Sequence, residues 1–258
     1  MREKILFLLL FCSLTIFGQN KAVIVNYDFY ESYNLGLHLQ SSLKNDGNNS
    51  LFEINDKQGT EDSKGTSYDN SGNPVYTIQE KRRENRVVFK DFKKNNLMSV
   101  INGFNPNNFF VVDEQLPSFN WKIENNTKEI LGYSCKKATT SFRGRNYIAW
   151  FTSKIPVSDG PWKFQGLPGL ILEITDDSSQ IKIEATKLVL NAENANISFK
   201  PDTKYSKVNW DGYVQTVEKD FGKQVKFYKS IASQQGAEIE LDLKFENMEY
   251  VSKKDENN

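Results

Sequence analysis

The stretch Gly166-Leu167-Pro168-Gly169-Leu170-Ile171 is the most informative hexapeptide of this 258-residue chain. Its proline fixes one φ angle and disfavours helix at the residue before it. Its two glycines permit positive φ on either side. The apolar, β-branched run from Leu170 to Ile174 then predicts a strand. A turn this constrained is typical either of a rigid corner between strands or of a binding loop.

Large aromatic side chains lie beside the hexapeptide in the sequence. Gly160 and Pro161 favour a further turn, and Trp150, Trp162 and Phe164 can bury a large apolar area next to it. One interpretation is a corner that joins two strands across the core. The other is a ligand platform, in which these aromatics and exposed backbone N–H groups line a pocket.

Several short motifs precede the hexapeptide in a fixed order, at residues 130–138, 144–152 and 159–162. Together with the hexapeptide they resemble the GLPGLI family of secreted and envelope proteins of Bacteroidetes, a family of unknown function. The resemblance is dense between residues 119 and 176 and looser elsewhere. It implies a bacterium of that phylum and export from the cytoplasm. It carries over no catalytic residue.

The first eighteen residues (1–18) predict a secretory signal peptide. Two basic residues precede the apolar run from Ile5 to Phe11, and Gly18 is a small residue at the expected cleavage point. The apolar run is too short to span a bilayer. Cys12 suggests a lipoprotein alternative, which the bulky residue before it disfavours. With the resemblance, this predicts a periplasmic, outer-membrane-associated or secreted protein without a transmembrane segment in the mature chain.

Composition narrows the classes of function. The 33 basic residues balance the 33 acidic ones, which argues against nucleic acid as a partner. His38 is the single histidine of the sequence, so histidine-rich metal, haem and triad sites are not expected. After cleavage Cys135 is the single cysteine, and it is interpreted as a small buried hydrophobe, with a nucleophile as the alternative. No cofactor or metal is predicted; the pair Asp176-Asp177 is interpreted as a hairpin turn.

The periodicity of apolar residues predicts an α+β fold that is mostly β. Residues 19–251 are expected to form one domain, a curved antiparallel sheet or half-barrel with one long helix packed on it, similar in outline to LolA-type carriers. A three-to-four-residue repeat predicts the helix at about 208–235, and strict alternation predicts a final strand at about 237–246. Residues 55–73 are expected to be a long surface loop, and 252–258 a disordered tail.

These patterns favour a non-catalytic exported envelope protein that binds an apolar, lipid-like ligand or a partner protein. The speculative ligand-binding residues are Trp150, Trp162 and Phe164, with Arg143 and Arg145, because two guanidinium groups on one strand face could hold a carboxylate or phosphate. An accessory protein of an outer-membrane receptor or secretion system is one alternative. An enzyme of unknown class is the other.

Overall fold

The computed structural model describes residues 22–32, 37–55, 63–68, 74–79, 85–105, 108–193, 197–234 and 249. The predicted signal peptide (1–18), final strand (237–246) and tail (252–258) lie outside these residues.

Among the described residues, twelve strands form one sheet and two more form a separate pair. The strands are β1 Ala22–Glu31, β2 Leu37–Asn45, β3 Asn49–Ile54, β4 Ser63–Tyr68, β5 Pro74–Gln79, β6 Arg86–Asp91, β7 Asn96–Asn102, β8 Phe109–Gln115, β9 Lys122–Ile130, β10 Tyr133–Phe142, β11 Arg145–Thr152, β12 Leu170–Asp176, β13 Ile181–Ala192 and β14 Ser206–Val208. The order of the large sheet is β14-β8-β7-β6-β3-β2-β1-β13-β12-β11-β10-β9, with β4 and β5 paired separately. All pairs are antiparallel except β14 with β8. The predicted mostly-β fold class is confirmed.

The large sheet is strongly curved. Arg143, in the turn between β10 and β11, forms an ion pair with Glu114 of β8. Seven strands separate β8 from β11 in the order of the sheet. Twist accumulated over this many strands brings its two ends towards each other. The concave face is apolar because alternate residues of each strand point inward, as Val25, Tyr27 and Phe29 of β1 do.

One irregular segment fills this concave face. We call residues 153–169, which connect β11 to β12, the inner segment. Six consecutive residues of it, 159–164, are all buried. Its carboxylate Asp159 reaches Lys90 of β6, on the far side of the sheet from β11. The core of the fold therefore lies between the curved sheet and the inner segment.

The predicted C-terminal helix is present as α1, Trp210–Gln234. The side chain of Asn209 caps its first turn by accepting a hydrogen bond from the N–H of Gly212. Tyr213 and Val217 are fully buried, and the Tyr213 hydroxyl donates to the carbonyl of Asn102 at the end of β7. The first half of α1 thus covers the β7–β8 end of the sheet.

The outer face of the same end is also covered. Phe199 packs on Phe89 of β6 at a centroid distance of 5.9 Å, and Tyr205 packs on Phe109 of β8 at 5.8 Å. Strands β6 to β8 are therefore covered on both faces, which explains the uninterrupted apolar runs within them, at residues 87–89, 100–101 and 109–112.

The prediction of one long surface loop over residues 55–73 is wrong in part. Ser63–Tyr68 forms strand β4, which pairs with β5. The sequence of β4 has little to bury, so its strand conformation rests on backbone pairing that no hydrophobic pattern reveals. Most of strand β9 also lacks a hydrophobic pattern, because its residues are mostly exposed and polar or charged. Charged side chains are common on a strand at the end of a sheet, where they discourage edge-to-edge association.

Candidate functional site

The backbone of the inner segment is held by hydrogen bonds to its own ends. The N–H of Ile171 donates to the carbonyl of Asp159 at 3.0 Å, and the N–H of Leu170 donates to the carbonyl of Ile155 at 3.1 Å. Gly160 is required at this crossing because a Cβ there would lie 2.7 Å from the Cβ of Ile171. The segment thus doubles back on β12 and presents its polar groups to the core.

Lys90 anchors the inner segment from the opposite strand. Its ammonium group donates to the Asp159 carboxylate at 2.6 Å, to the carbonyl of Gly160 at 2.9 Å and to that of Phe164 at 3.1 Å. Asn45 donates to the second Asp159 oxygen at 2.8 Å. Both charged side chains are 0% exposed. We call Lys90, Asp159 and Asn45 the Lys90 site.

Burial lowers the pKa of Lys90, and the charge of Asp159 and its hydrogen bond oppose that shift. All three N–H donors of the ammonium have acceptors, as a buried cation requires. Tyr27 of β1 adds a neutral donor nearby: its hydroxyl donates to the carbonyl of Ile171 at 2.9 Å. Burial, and then the charge of Asp159, raise the pKa of Tyr27 well above its usual value. The Lys90 site therefore fixes backbone positions of the inner segment.

A second cluster of charges surrounds Lys163. Its ammonium group lies 2.6 Å from the Glu114 carboxylate and 2.8 Å from that of Glu249. The Arg143 guanidinium bonds to the same two carboxylates. Two cations thus face two anions in an alternating, neutral arrangement. We call Glu114, Arg143, Lys163 and Glu249 the four-charge site.

Two tryptophans complete the four-charge site. The indole N–H of Trp162 donates to Glu249 at 2.8 Å. The ring of Trp210, at the start of α1, lies 3.4 Å from the Arg143 guanidinium carbon, close enough for a cation–π contact. Trp162 has a φ of 54°, which costs a bulky residue about 1–3 kcal/mol. The surrounding contacts hold the indole in place against that strain.

The charges of the site act on Glu114. Burial raises the pKa of Glu114, but the charges of Lys163 and Arg143 and the hydrogen bonds from both lower it by more. The pKa of Glu114 therefore lies below its ordinary value. The carboxylate is therefore ionised in the folded protein at neutral pH.

The hexapeptide forms a packed corner at the end of the inner segment. Leu167, Leu170 and Ile171 are buried in the core. Gly169 has a φ of 150°, and a Cβ there would lie 2.2 Å from the carbonyl oxygen of Thr152. Close backbone approach therefore requires glycine at position 169. Gly166 has a φ of 92° and meets no atom nearer than 3.9 Å, so its requirement is conformational alone.

The structure separates the three predicted aromatic ligand residues. Trp162 and Phe164 are buried in the core, where the Phe164 ring packs edge-on against Tyr147 at 4.7 Å. Trp150 is three residues from Tyr147 on β11 and so lies on the opposite face of the sheet, with the ammonium of Lys128 over its ring at 4.6 Å. Trp150 therefore does not join the other two.

The two predicted arginines bind carboxylates of their own chain, and not the same ones. Arg143 occupies a two-residue turn with Gly144, and both have positive φ, as a type I′ hairpin turn requires. It bonds to Glu114 and Glu249, as described. Arg145 is the first residue of β11 and pairs with Asp176 at 3.2 Å. Asp176 also accepts from the N–H of Ile181 in the β12–β13 turn.

Cys135 and His38 lie apart. Cys135 is fully buried in β10, and burial raises the pKa of its thiol to about 11. His38 is exposed on β2, 3.7 Å from Asp28. Four strands lie between β2 and β10 in the sheet, so the two residues do not form a nucleophile–base pair. Among the residues that the structure describes, no group of three or more metal-ligating side chains is close enough to hold an ion.

Most residues of the two sites were missed from the sequence. Lys90 gave a usable signal, because it occupies the same inward-facing alternation as Arg86 and Val88 in β6. A lysine at an inward position needs a buried anion. Nothing in the sequence identified Asp159 as that anion, or joined Glu249 to Lys163, because these contacts link distant parts of the chain.

Comparisons with known proteins give a short family match. Residues 143–173 match a family described as "Protein of unknown function (Porph_ging)". This span contains Arg143, Asp159, Trp162 and Lys163, which belong to the two sites. No curated protein matches the chain.

Two solved structures are similar to part of this chain. They are described as "Structure of PNGF-II in P21 space group" and "Structure of PNGF-II in C2 space group", with 18% and 17% sequence identity and TM-scores of 0.47 and 0.48. Each match covers 77% of this chain and 33% of the other. The chain thus spans about a third of the length of those proteins. Among the described residues, no helix is long and apolar enough to cross a membrane.

Proposed function

We propose that this chain is a non-catalytic protein of the bacterial cell envelope that binds a partner protein through its surface. The observation that supports this is the burial of the inner segment, in which residues 159–164 are all buried. Lys90, which contacts them, and Lys163, which is one of them, are both paired with carboxylates of the same chain. We therefore assign the motif region a structural role and expect the partner to bind exposed residues elsewhere. The envelope location rests on the signal-peptide pattern and on the GLPGLI resemblance.

The second half of α1 is the proposed contact surface. Phe227 and Ile231 are 55% and 37% exposed and lie four residues apart, hence on one face of the helix. Exposed large apolar side chains that cluster in this way are typical of interaction sites. The same half-helix is basic. Its charged residues from position 219 onward are Lys219, Asp220, Lys223, Lys226 and Lys229.

A basic surface with an apolar centre fits a partner with an acidic rim around an apolar groove. An accessory protein of an outer-membrane receptor or secretion system is the kind of role that such a surface serves. The partner chemistry also predicts that binding weakens as salt is raised, because the rim charges are exposed to solvent.

Affinity capture with the full chain tests the contact surface. The variant carries Phe227→Ser and Ile231→Ser. The control carries Val189→Ser and Leu190→Ser, which change two side chains of β13 that are 39% and 40% exposed. We expect an acidic envelope protein to be recovered with the wild type and the control, and at least tenfold less with the helix variant. Equal recovery with both variants, or binding to anionic vesicles in place of a protein, would contradict the proposal.

Binding of an apolar ligand at the motif is the competing function, and tryptophan fluorescence separates the two. Trp162 is buried and bonded to Glu249. We therefore expect no saturable change when fatty acids, lipopeptides or detergents below their micellar concentration are added. A saturable shift that disappears in Trp162→Phe would support the ligand function and overturn ours.

A thiol reagent tests whether Cys135 has a catalytic role. With a pKa of about 11, about one thiol in a thousand is ionised at about pH 8. We expect native Cys135 to react at least a hundredfold more slowly than in the urea-unfolded chain. Comparable rates in the two states would reopen the enzyme hypothesis.

A further inference from the structure

We propose that Arg143, Trp162 and Lys163 form a carboxylate-binding site whose ligand is a glutamate side chain, and that Glu249 of the same chain occupies it. The site would then accept a free carboxylate when the Glu249 side chain is removed. This inference is independent of the proposed partner surface on α1.

Three donors from separate groups converge on one carboxylate. The Trp162 indole N–H and the Lys163 ammonium each lie 2.8 Å from Glu249, and the Arg143 guanidinium bonds to it from the hairpin turn. Glu249 is almost wholly buried. All three donors lie at least 86 residues away in sequence. The three donors are therefore positioned by parts of the fold that are distant from residue 249 in sequence.

The charge balance shows why the ligand is an anion. Without Glu249, the site would hold the positive charges of Arg143 and Lys163 against the single negative charge of Glu114. A buried site with one excess positive charge is costly unless an anion enters it. The Arg143 side chain is 16% exposed, which gives the site an opening to solvent.

The donors favour a carboxylate over a spherical anion. A guanidinium, an ammonium and an indole N–H can divide among the two oxygens of a planar carboxylate, and charge-assisted bonds of this kind are the stronger class. The positive φ of Trp162 is the independent sign that the backbone is held in an unfavourable conformation with the indole N–H in this site.

Chemical rescue of the full-length Glu249→Ala variant tests the inference. We expect a lower melting temperature than that of the wild type. Sodium acetate should restore at least half of the loss in a saturable manner, whereas sodium chloride at equal ionic strength should not. The indole N–H resonance of Trp162 should shift in parallel with the acetate concentration.

Two controls make the rescue specific. Glu173→Ala removes the partner of Lys128, a lysine that is a third exposed, and should show no difference between acetate and chloride. Adding Trp162→Phe to Glu249→Ala should weaken the apparent affinity for acetate at least threefold. If Glu249→Ala does not fold in chloride, its refolding yield is compared in sodium acetate and in sodium chloride at equal ionic strength. Acetate should raise the yield, and equal yields would overturn the inference. Acetate no better than chloride in the folded variant overturns the inference.

Discussion

The Lys90 site and the four-charge site each bury a lysine completely, but the two lysines bind different kinds of acceptor. Lys90 donates to one carboxylate and to two backbone carbonyls, all within residues 159–164. Lys163 donates only to carboxylates, from β8 and from residue 249. The first lysine therefore fixes the path of the inner segment. The second ties distant side chains around it.

The two sites differ in solvent exposure, and this difference predicts which site contributes more to the free energy of unfolding. Lys90 and Asp159 are both 0% exposed. In the four-charge site, Arg143 and Glu114 retain 16% and 11% exposure. A charge left without its partner costs more where water cannot reach it. The free energy of unfolding should thus depend more on Lys90 than on Lys163.

The largest effect is expected from Lys90→Met. It leaves Asp159 buried without its cation and three acceptors without their donor, so unfolding should become easier by about 3–5 kcal/mol. Lys163→Met should cost about 2 kcal/mol, because Arg143 still neutralises one of two carboxylates and water can reach the site. Urea denaturation measures both. A larger loss in Lys163→Met would reverse the ranking of the sites.

The two glycines of the hexapeptide differ in why each is required, and alanine substitutions measure that difference. Gly169→Ala should cost about 2–3 kcal/mol, because its Cβ would collide with the backbone of Thr152. Gly166→Ala, its matched control, should cost about 1–2 kcal/mol from backbone conformation alone. Thermal or urea unfolding of the two variants measures the difference. Equal losses would show that the close approach at Gly169 can relax.

The four-charge site should give stability a dependence on acid pH. The folded-state pKa of Glu114 lies below its ordinary value of 4.5. Its contribution is therefore present above that value and is lost as pH falls through the folded-state pKa. The drop in free energy of unfolding between about pH 6 and about pH 3 should be smaller in Glu114→Gln than in the wild type. An identical pH dependence in the two proteins would contradict the assignment.

Arg143→Lys should have the smallest effect, about 1 kcal/mol. An ammonium keeps the charge but lacks the planar guanidinium face that stacks on the Trp210 ring and the fixed fork of N–H donors. Arg143→Asn suits the positive φ of the turn yet loses the charge, so it should cost more than lysine. Urea denaturation ranks the two variants. If asparagine is the better replacement, turn conformation outweighs the ion pairs at this position.

The sequence was sufficient for features that depend on local pattern. The three-to-four-residue repeat of α1 and the glycine–proline turn each predict a structure from neighbouring residues. The interpretation of the hexapeptide as a rigid corner, one of two left open, agrees with the burial of Leu167 and Ile171.

The sites themselves could not be predicted, because their contacts are distant in sequence. Lys90 and Asp159 are 69 residues apart, and Arg143 and Glu249 are 106 apart. Which of 33 acidic residues meets a given buried lysine depends on the curvature of the sheet and the path of the inner segment. Trp150 shows the same limit: its place near Trp162 in sequence did not reveal that the two lie on opposite faces.

The most direct test of the account is a double-mutant cycle on Lys90 and Asp159. Free energies of unfolding are measured for the wild type, Lys90→Met, Asp159→Asn and the double variant. If this pair holds the inner segment, the double variant should be less destabilised than the sum of the single variants, by at least about 2 kcal/mol. A coupling energy below about 0.5 kcal/mol would contradict the central claim that a buried ion pair fixes the path of the inner segment.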